Sequence, residues 1–348
     1  MRSLTLEPTH YKTHFSQAYI PIKGCENLTG IVDFKGLALN FTSEKEPLYP
    51  QAELLSEELV PVPKSDEREP QHEILVSQYG NIEGEPVVLI HGGPTLDIKP
   101  ENLGFLNPNT MRIILIRQRG SIGCFPEGEL VGNTTRNLVI DHKYVRKYLG
   151  ITDWHVFGHS MGATLACIYA AGEIEHCRSL TCVAPFLACN EAVDLLLLNE
   201  YQRSPGLKKL RESSFGASHG DELTKYVAPL ILSSDHEYSL QAAMDYTNLP
   251  REKALKLMTY LRVCMHYRLN NYFLENDWLE QISPELLRIP IINIAHSFED
   301  RVLPMEFSLK LFKALKEKAN FTPLCGDHFF RNTEAQKSLR ALCDRIYI

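Results

Sequence analysis

From His72 onward, short and nearly unbroken apolar runs alternate with stretches whose apolar residues recur at helical spacing. Ile74–Gln78, Pro86–Ile90, Met111–Arg117, His155–Phe157, Leu180–Ala184, Ile289–Ile294 and Phe321–Cys325 read as strands. Several are almost continuously apolar, as parallel strands covered on both faces require. Between them, the stretch from Asn133 to Tyr148 sets Leu138, Val145 and the following Leu149 near one helical stripe, and Met161–Tyr169 is an apolar helix opening at a strand end. The alternation predicts the α/β class, with a mostly parallel, doubly wound sheet. Phe186 to Pro284 breaks the rhythm with helical segments, Glu191–Leu198 and Arg251–Leu269 among them, and no strand pattern. Roughly 100 residues there read as a helical cap inserted between two sheet strands, over the carboxyl ends where open α/β sheets bind ligands. The expected organisation is an extension of unknown role over residues 1–45, a catalytic domain over 46–185 and 285–348, and a cap over 186–284. Glu44–Pro70, interrupted by Pro47, Pro50, Pro61, Pro63 and Pro70, reads as an arm or sheet edge.

Composition narrows the partners. The 348 residues are 44% hydrophobic, 23% charged and 9% aromatic, which excludes disordered, collagen-like and coiled-coil chains. Thirty-six Lys+Arg against 43 Asp+Glu give a net charge of −7 without a basic run. Neither nucleic acid nor an anionic membrane is the expected partner; a small peptide, or a small ester or amide, is. No apolar stretch has the form of a signal peptide or a membrane span, so the expected location is the cytoplasm. The nine cysteines are scattered without a C-x-x-C pair and read as reduced thiols, with no metal site and no cofactor expected. The oligomeric state is not readable from this pattern.

The central chemical signal is Trp154-His-Val-Phe-Gly158-His159-Ser160-Met161-Gly162-Ala163, a G-x-S-x-G sequence between a predicted strand and a predicted helix. At about 7% each for Gly and Ser, chance alone yields such a pattern in a chain this long with a probability of ~0.1. Its position makes it a nucleophile elbow, in which small flanking residues permit the sharp turn that exposes Ser160. A hydroxyl needs a base and an orienting acid. Triad members in this architecture run Ser, acid, His along the chain, and His328 is the one histidine beyond Asp300. Asp300 follows a strongly apolar strand and is the expected acid; Glu299 competes for that role, and Asp327 is too near His328 in the chain to orient it readily. Val87-Val-Leu-Ile-His91-Gly92-Gly93-Pro94 ends another strand. Gly92 and Gly93, with the amide of Met161 after the nucleophile, are the expected oxyanion donors. His91 is expected to shape that loop.

These residues resemble the proline iminopeptidases (prolyl aminopeptidases) of the α/β-hydrolase superfamily. The resemblance runs from about Leu48-Tyr-Pro50 to His328, through the Val87–Pro94 segment, Gln118-Arg119-Gly120, Asn133-Thr134-Thr135 with Leu138-Val139 and Asp141, Leu149-Gly150-Ile151, Trp154 to Leu165, and Asp300 with Pro304. It implies the α/β-hydrolase fold and a serine peptidase removing an N-terminal residue, usually proline, with Ser160, Asp300 and His328 as triad. The departures fall where substrate is chosen. The family's Asp-Gln-Arg-Gly-x-Gly-Arg-Ser loop is here Arg117-Gln-Arg-Gly-Ser-Ile-Gly-Cys124, and its Gly-Gly-Ser-Trp-Gly elbow is Gly158-His-Ser-Met-Gly162. Where the family carries Ala-Arg-Ile-Glu-x-His-Tyr-Phe and holds the substrate amine with that glutamate, this chain has Leu261-Arg-Val-Cys264-Met-His-Tyr-Arg268. A thiol in place of the carboxylate forfeits roughly 1.5–3 kcal/mol of amine binding. Asp245 is a candidate second anionic contact. The substitution keeps open an esterase or amidase acting on small substrates, and the divergent elbow and cap leave a third reading, an inactive hydrolase fold used as a binding module.

Overall fold

The computed structural model describes residues 47–96, 98–190, 192, 193, 196, 220–297, 299–316, 318–329 and 333–347. The expected extension over residues 1–45 and most of Glu191–Leu198 lie outside them. The strands are β1 (Leu54–Pro61), β2 (Glu73–Gly80), β3 (Glu85–Ile90), β4 (Met111–Ile116), β5 (Trp154–His159), β6 (Cys177–Val183), β7 (Ile291–Ser297) and β8 (Asn320–Leu324). They form one sheet in the order β1-β2-β4-β3-β5-β6-β7-β8. β2 pairs antiparallel with β1 and β4, and every other neighbouring pair is parallel. The apolar runs become the inner strands: Val87, Val88, Leu89 and Ile90 of β3 and Trp154, Val156 and Phe157 of β5 are buried. β1 arises within the proline-rich segment. Its Leu54, Leu55 and Leu59 are exposed and its glutamates face outward or lie half-buried, as an edge strand with one partner allows.

The described helices are α1 (Thr135–Tyr148), α2 (Met161–Gly172), α3 (Gly220–Ile231), α4 (His236–Thr247), α5 (Arg251–Leu269), α6 (Trp278–Leu286), α7 (Glu306–Ala314) and α8 (Thr333–Ile346). The Thr134 hydroxyl accepts the Asn137 amide proton and so opens α1. α2 is apolar on all sides because it packs on β5 and β6 and beneath α6. Between β6 and β7 the chain forms α3 to α6. Val227, Ile231, Leu240, Ala243, Leu261 and Met265 give α3–α5 a core of their own. α6 instead packs on α2 and α7, the helices on the sheet. It therefore joins the sheet's helical layer although its sequence lies almost wholly in the stretch read as cap.

α5 is tied back to the body through motif residues. His266 Nε2 donates to the Asn133 carbonyl (2.9 Å), Tyr267 OH donates to Asn133 Oδ1 (2.9 Å), and the Thr135 hydroxyl donates to the Tyr272 carbonyl (2.6 Å). Beneath them Arg119 binds Asp141 through two bonds of 2.7 and 2.8 Å. Among the described residues no helix is long and apolar enough to cross a membrane. None of the eight described cysteines forms a disulfide. β3, β5, β7 and β8 run parallel, so the loops bearing Gly92, Ser160, Asp300 and His328 all leave the same edge of the sheet.

Candidate active site

Ser160 sits between β5 and α2 with φ 56° and ψ −124°, a conformation that costs a non-glycine residue about 1–3 kcal/mol. The turn is held there by backbone bonds: Ser160 N–H donates to Val183 O (2.9 Å), and its carbonyl accepts from Ala163 (3.0 Å) and Phe186 (3.1 Å). The flanking glycines are demanded by packing. A Cβ on Gly162 would lie 2.1 Å from the Ile90 carbonyl oxygen, and one on Gly158 would lie 2.4 Å from that of Gly162.

His328, in the loop after β8, directs Nε2 at Ser160 Oγ (3.1 Å) and Nδ1 at Asp300 Oδ2 (2.6 Å). Because Nδ1–H is given to the carboxylate, Nε2 presents its lone pair to the serine. The other carboxylate oxygen of Asp300 accepts the Val302 (2.7 Å) and Leu303 (2.9 Å) amides. Burial alone would raise the Asp300 carboxyl, but these bonds and the neighbouring imidazoles of His328 and His296 hold it below its ordinary value. Its ionised form thus stabilises the fold above the unfolded-state pKa, and that contribution is lost as the pH falls through the lower folded value. Glu299 instead accepts the Gly326 amide (3.0 Å), bracing the loop after β8, and Asp327 accepts the Phe329 amide (3.1 Å).

His159 lies against His328, with ring centroids 4.7 Å apart and its Nε2 donating to the His328 carbonyl (2.8 Å). Burial, and then the neighbouring His328 imidazole, push it down to about 3, so it is a neutral brace. His91 accepts the Gln118 amide at Nε2 (3.0 Å) and donates from Nδ1 to the Gly92 carbonyl (2.9 Å), fixing the Gly-Gly loop. That loop crosses close to the nucleophile: a Cβ on Gly92 would stand 2.9 Å from Ser160 Cβ. Met161 is the first residue of α2, where amide protons have no intrahelical acceptor.

Two cavities meet at Ser160 and His328. The smaller, about 90 Å³, is walled by Leu96, Ile98, Phe105, Phe157 and Leu339. The larger, about 200 Å³, is lined by Gly93, Phe186, Tyr260, Arg268, Tyr272 and Val302 among others. Asp245 lines neither. It is exposed on α4 and accepts from Gln241 (3.2 Å), while the adjacent Tyr246 is buried and accepts from Arg268 (2.9 Å). Asp245 thus leaves the helix on the solvent side, and the structure does not bring it together with Ser160 and His328. Cys264 is buried in α5 and also lines neither cavity. One turn further on the same helix, Arg268 reaches the larger cavity, as does Tyr260 one turn before Cys264. The i, i+4 spacing from Cys264 was the available signal for Arg268. Among the described residues no cluster of His, Cys, Asp or Glu could hold a metal ion.

Comparison with known proteins agrees with this architecture. Residues 85–330 match the alpha/beta hydrolase fold family. The chain is similar to the proline iminopeptidase of Neisseria gonorrhoeae, 31% identical over 270 residues, covering 71% of this chain and 84% of that protein. It is 30% identical over 279 residues to the proline iminopeptidase of Xylella fastidiosa strain Temecula1, covering 74% and 88%. Among solved structures, a putative aryl esterase from Burkholderia cenocepacia superposes with a TM-score of 0.56 at 15% identity, over 84% of this chain and 98% of that one, a likeness of fold. A sheet whose strand ends gather Ser160, His328 and Asp300, together with these relatives, leads to one assignment: the chain belongs to the proline iminopeptidase branch of the alpha/beta hydrolase fold family.

Proposed function

We propose that this protein is a serine hydrolase of the proline iminopeptidase type, releasing an N-terminal residue, proline favoured, through an acyl-enzyme on Ser160. The observation that carries the reading is the continuous Ser160–His328–Asp300 arrangement, at 3.1 and 2.6 Å, on a strained elbow. His328 takes the Ser160 proton as Oγ adds to the substrate carbonyl. The amides of Met161 and of the Gly92-Gly93 loop, Gly93 foremost, receive the oxyanion. The tetrahedral adduct collapses as His328 returns the proton to the leaving amine, and water activated by the same imidazole releases the acyl group. Asp300 keeps the imidazole in the productive tautomer throughout. An apolar cavity of about 150 Å³ holds benzene. The smaller cavity here, about 90 Å³, suits a short aliphatic or five-membered ring, which is the size of a prolyl side chain.

A second reading, hydrolysis of small esters or amides without a free amine, is favoured by one specific observation. Among the described residues lining the larger cavity, Arg268 is the one cationic side chain, and no carboxylate is there to meet an ammonium. A panel of prolyl, alanyl and N-blocked prolyl arylamides with short p-nitrophenyl esters separates the readings. The iminopeptidase reading expects free prolyl arylamide to be turned over at least tenfold faster than its N-blocked counterpart. Esters and N-blocked amides outrunning it would give the site to the second reading, and turnover of nothing on the panel would favour the binding module.

A further inference from the structure

His296 is the penultimate residue of β7, four residues before Asp300, and its side chain is fully buried. Three groups surround the imidazole. Nδ1 meets the Ser308 hydroxyl of α7 at 2.8 Å, and Nε2 meets the Leu303 carbonyl at 3.1 Å. The same Nε2 stands 3.5 Å from Asp300 Oδ2, the oxygen that holds His328. A carbonyl can only accept, so Nε2 carries the proton. In the neutral ring Nδ1 then accepts from Ser308, whose side chain is itself fully buried. The N–H dipole is thus aimed along the Leu303 carbonyl with its positive end beside the carboxylate.

We infer that His296, clamped by Ser308 and Leu303, is a positioning residue that steers Asp300 Oδ2 toward His328 and sets how strongly the carboxylate holds the imidazolium. The inference rests on the Ser160–His328–Asp300 reading and extends it inward by two side chains. At 3.5 Å the His296 contact is electrostatic, an orienting field on an oxygen whose hydrogen bond goes to His328. The titratable groups facing His296 are Asp300 and His328, with His159 beyond the His328 ring. Burial keeps His296 below its ordinary value, so it stays neutral and its N–H stays directed. Without that donor the Asp300 carboxylate becomes a stronger acceptor, the proton on His328 is held more tightly, and the base is lost at a higher pH.

The test uses the full chain carrying His296→Phe, His296→Gln or Ser308→Ala, with Ser160→Ala as a parallel arm, on the best substrate of the panel. His296→Phe is expected to lower kcat about ten- to a hundredfold, the range for groups that orient a reacting side chain from one contact away. KM should hold within about twofold, and the acid limb of kcat/KM should move up by about half a pH unit or more. Gln, which can place an N–H near the Nε2 position, should recover most of kcat and return the limb toward wild type. Ser308→Ala should move the limb in the same direction as Phe by a smaller amount. It keeps the test open if the Phe variant does not fold. An unmoved limb in Ser308→Ala and in any folded His296→Phe, or equal loss in Gln and Phe, overturns the inference. Turnover retained in Ser160→Ala overturns the triad reading and this one with it. Loss in Ser160→Ala beside wild-type pH profiles overturns this one alone.

Discussion

Ser160→Ala is expected to lose about 10⁴- to 10⁶-fold in kcat, some 5–8 kcal/mol of transition-state stabilisation, while the protein stays folded. The whole covalent route passes through Oγ, and no second hydroxyl is placed within hydrogen-bond reach of His328 Nε2 among the described contacts. Residual turnover should resist further loss when His328→Ala is added, because the two groups act as a unit. Stability should change in the opposite sense for a related variant. Ser160→Gly removes a Cβ held at φ 56° and should raise stability by about 1 kcal/mol, whereas alanine, equally strained, should not. Kinetics with the best arylamide or ester, read beside urea unfolding, check both. Turnover of Ser160→Ala within tenfold of wild type would remove the serine from the mechanism.

The second large effect is one of stability, far from the nucleophile. Arg119 is buried beneath the cap attachment, with two bonds to Asp141, one to the Pro63 carbonyl (2.8 Å), one to Gly132 O (3.2 Å) and a 3.4 Å pairing with Glu69. Burial pushes the Asp141 carboxyl up to about 6, against the lowering by Arg119, so it is still ionised at neutral pH. Arg119→Ala leaves that buried carboxylate without its partner and is expected to cost about 3–5 kcal/mol, a large part of a typical domain's 5–15. Lysine should not rescue, since one ammonium cannot span the bidentate site. The sign with pH follows from the raised carboxyl. Its folded pKa lies above the unfolded one, so its contribution is present in acid and lost as the pH rises through the folded value. In Arg119→Ala that value rises further, and the deficit should narrow on acidification. Urea unfolding at pH 5 and pH 8 tests this. A loss below about 1 kcal/mol at pH 8 would contradict the account.

The fold was legible wherever burial on both faces writes a continuous apolar run. Val87–Ile90 and Ile113–Ile116 are the clearest cases, and both lie in inner strands. β1 carried no such run, because an edge strand needs one buried face at most and Leu54–Pro61 has exposed leucines beside glutamates. The packing of α6 was not legible for a different reason. Periodicity marks a helix but not the layer it packs on, and α6 meets α2 and α7. In the site, Ser160, Asp300 and His328 could be singled out because strand-end position and chain order constrain them, and the structure brings the three together. Asp245 could not be placed from its charge, since a helix residue faces solvent or cavity by a rotation that a loose match does not fix. Arg268 and His296 were missed although both stand four residues from positions already singled out. Their roles depend on which face of α5, and which end of β7, meets the cavity or the acid.

The central claim is that Ser160, activated by His328, is the nucleophile, and covalent labelling tests it most directly. A fluorophosphonate probe on the folded full-length protein, followed by mass mapping, should give one adduct, on Ser160. The adduct should be absent in Ser160→Ala and form at least a hundredfold more slowly in His328→Ala. Folded protein that leaves Ser160 unmodified, or labels it equally fast without His328, would contradict the account.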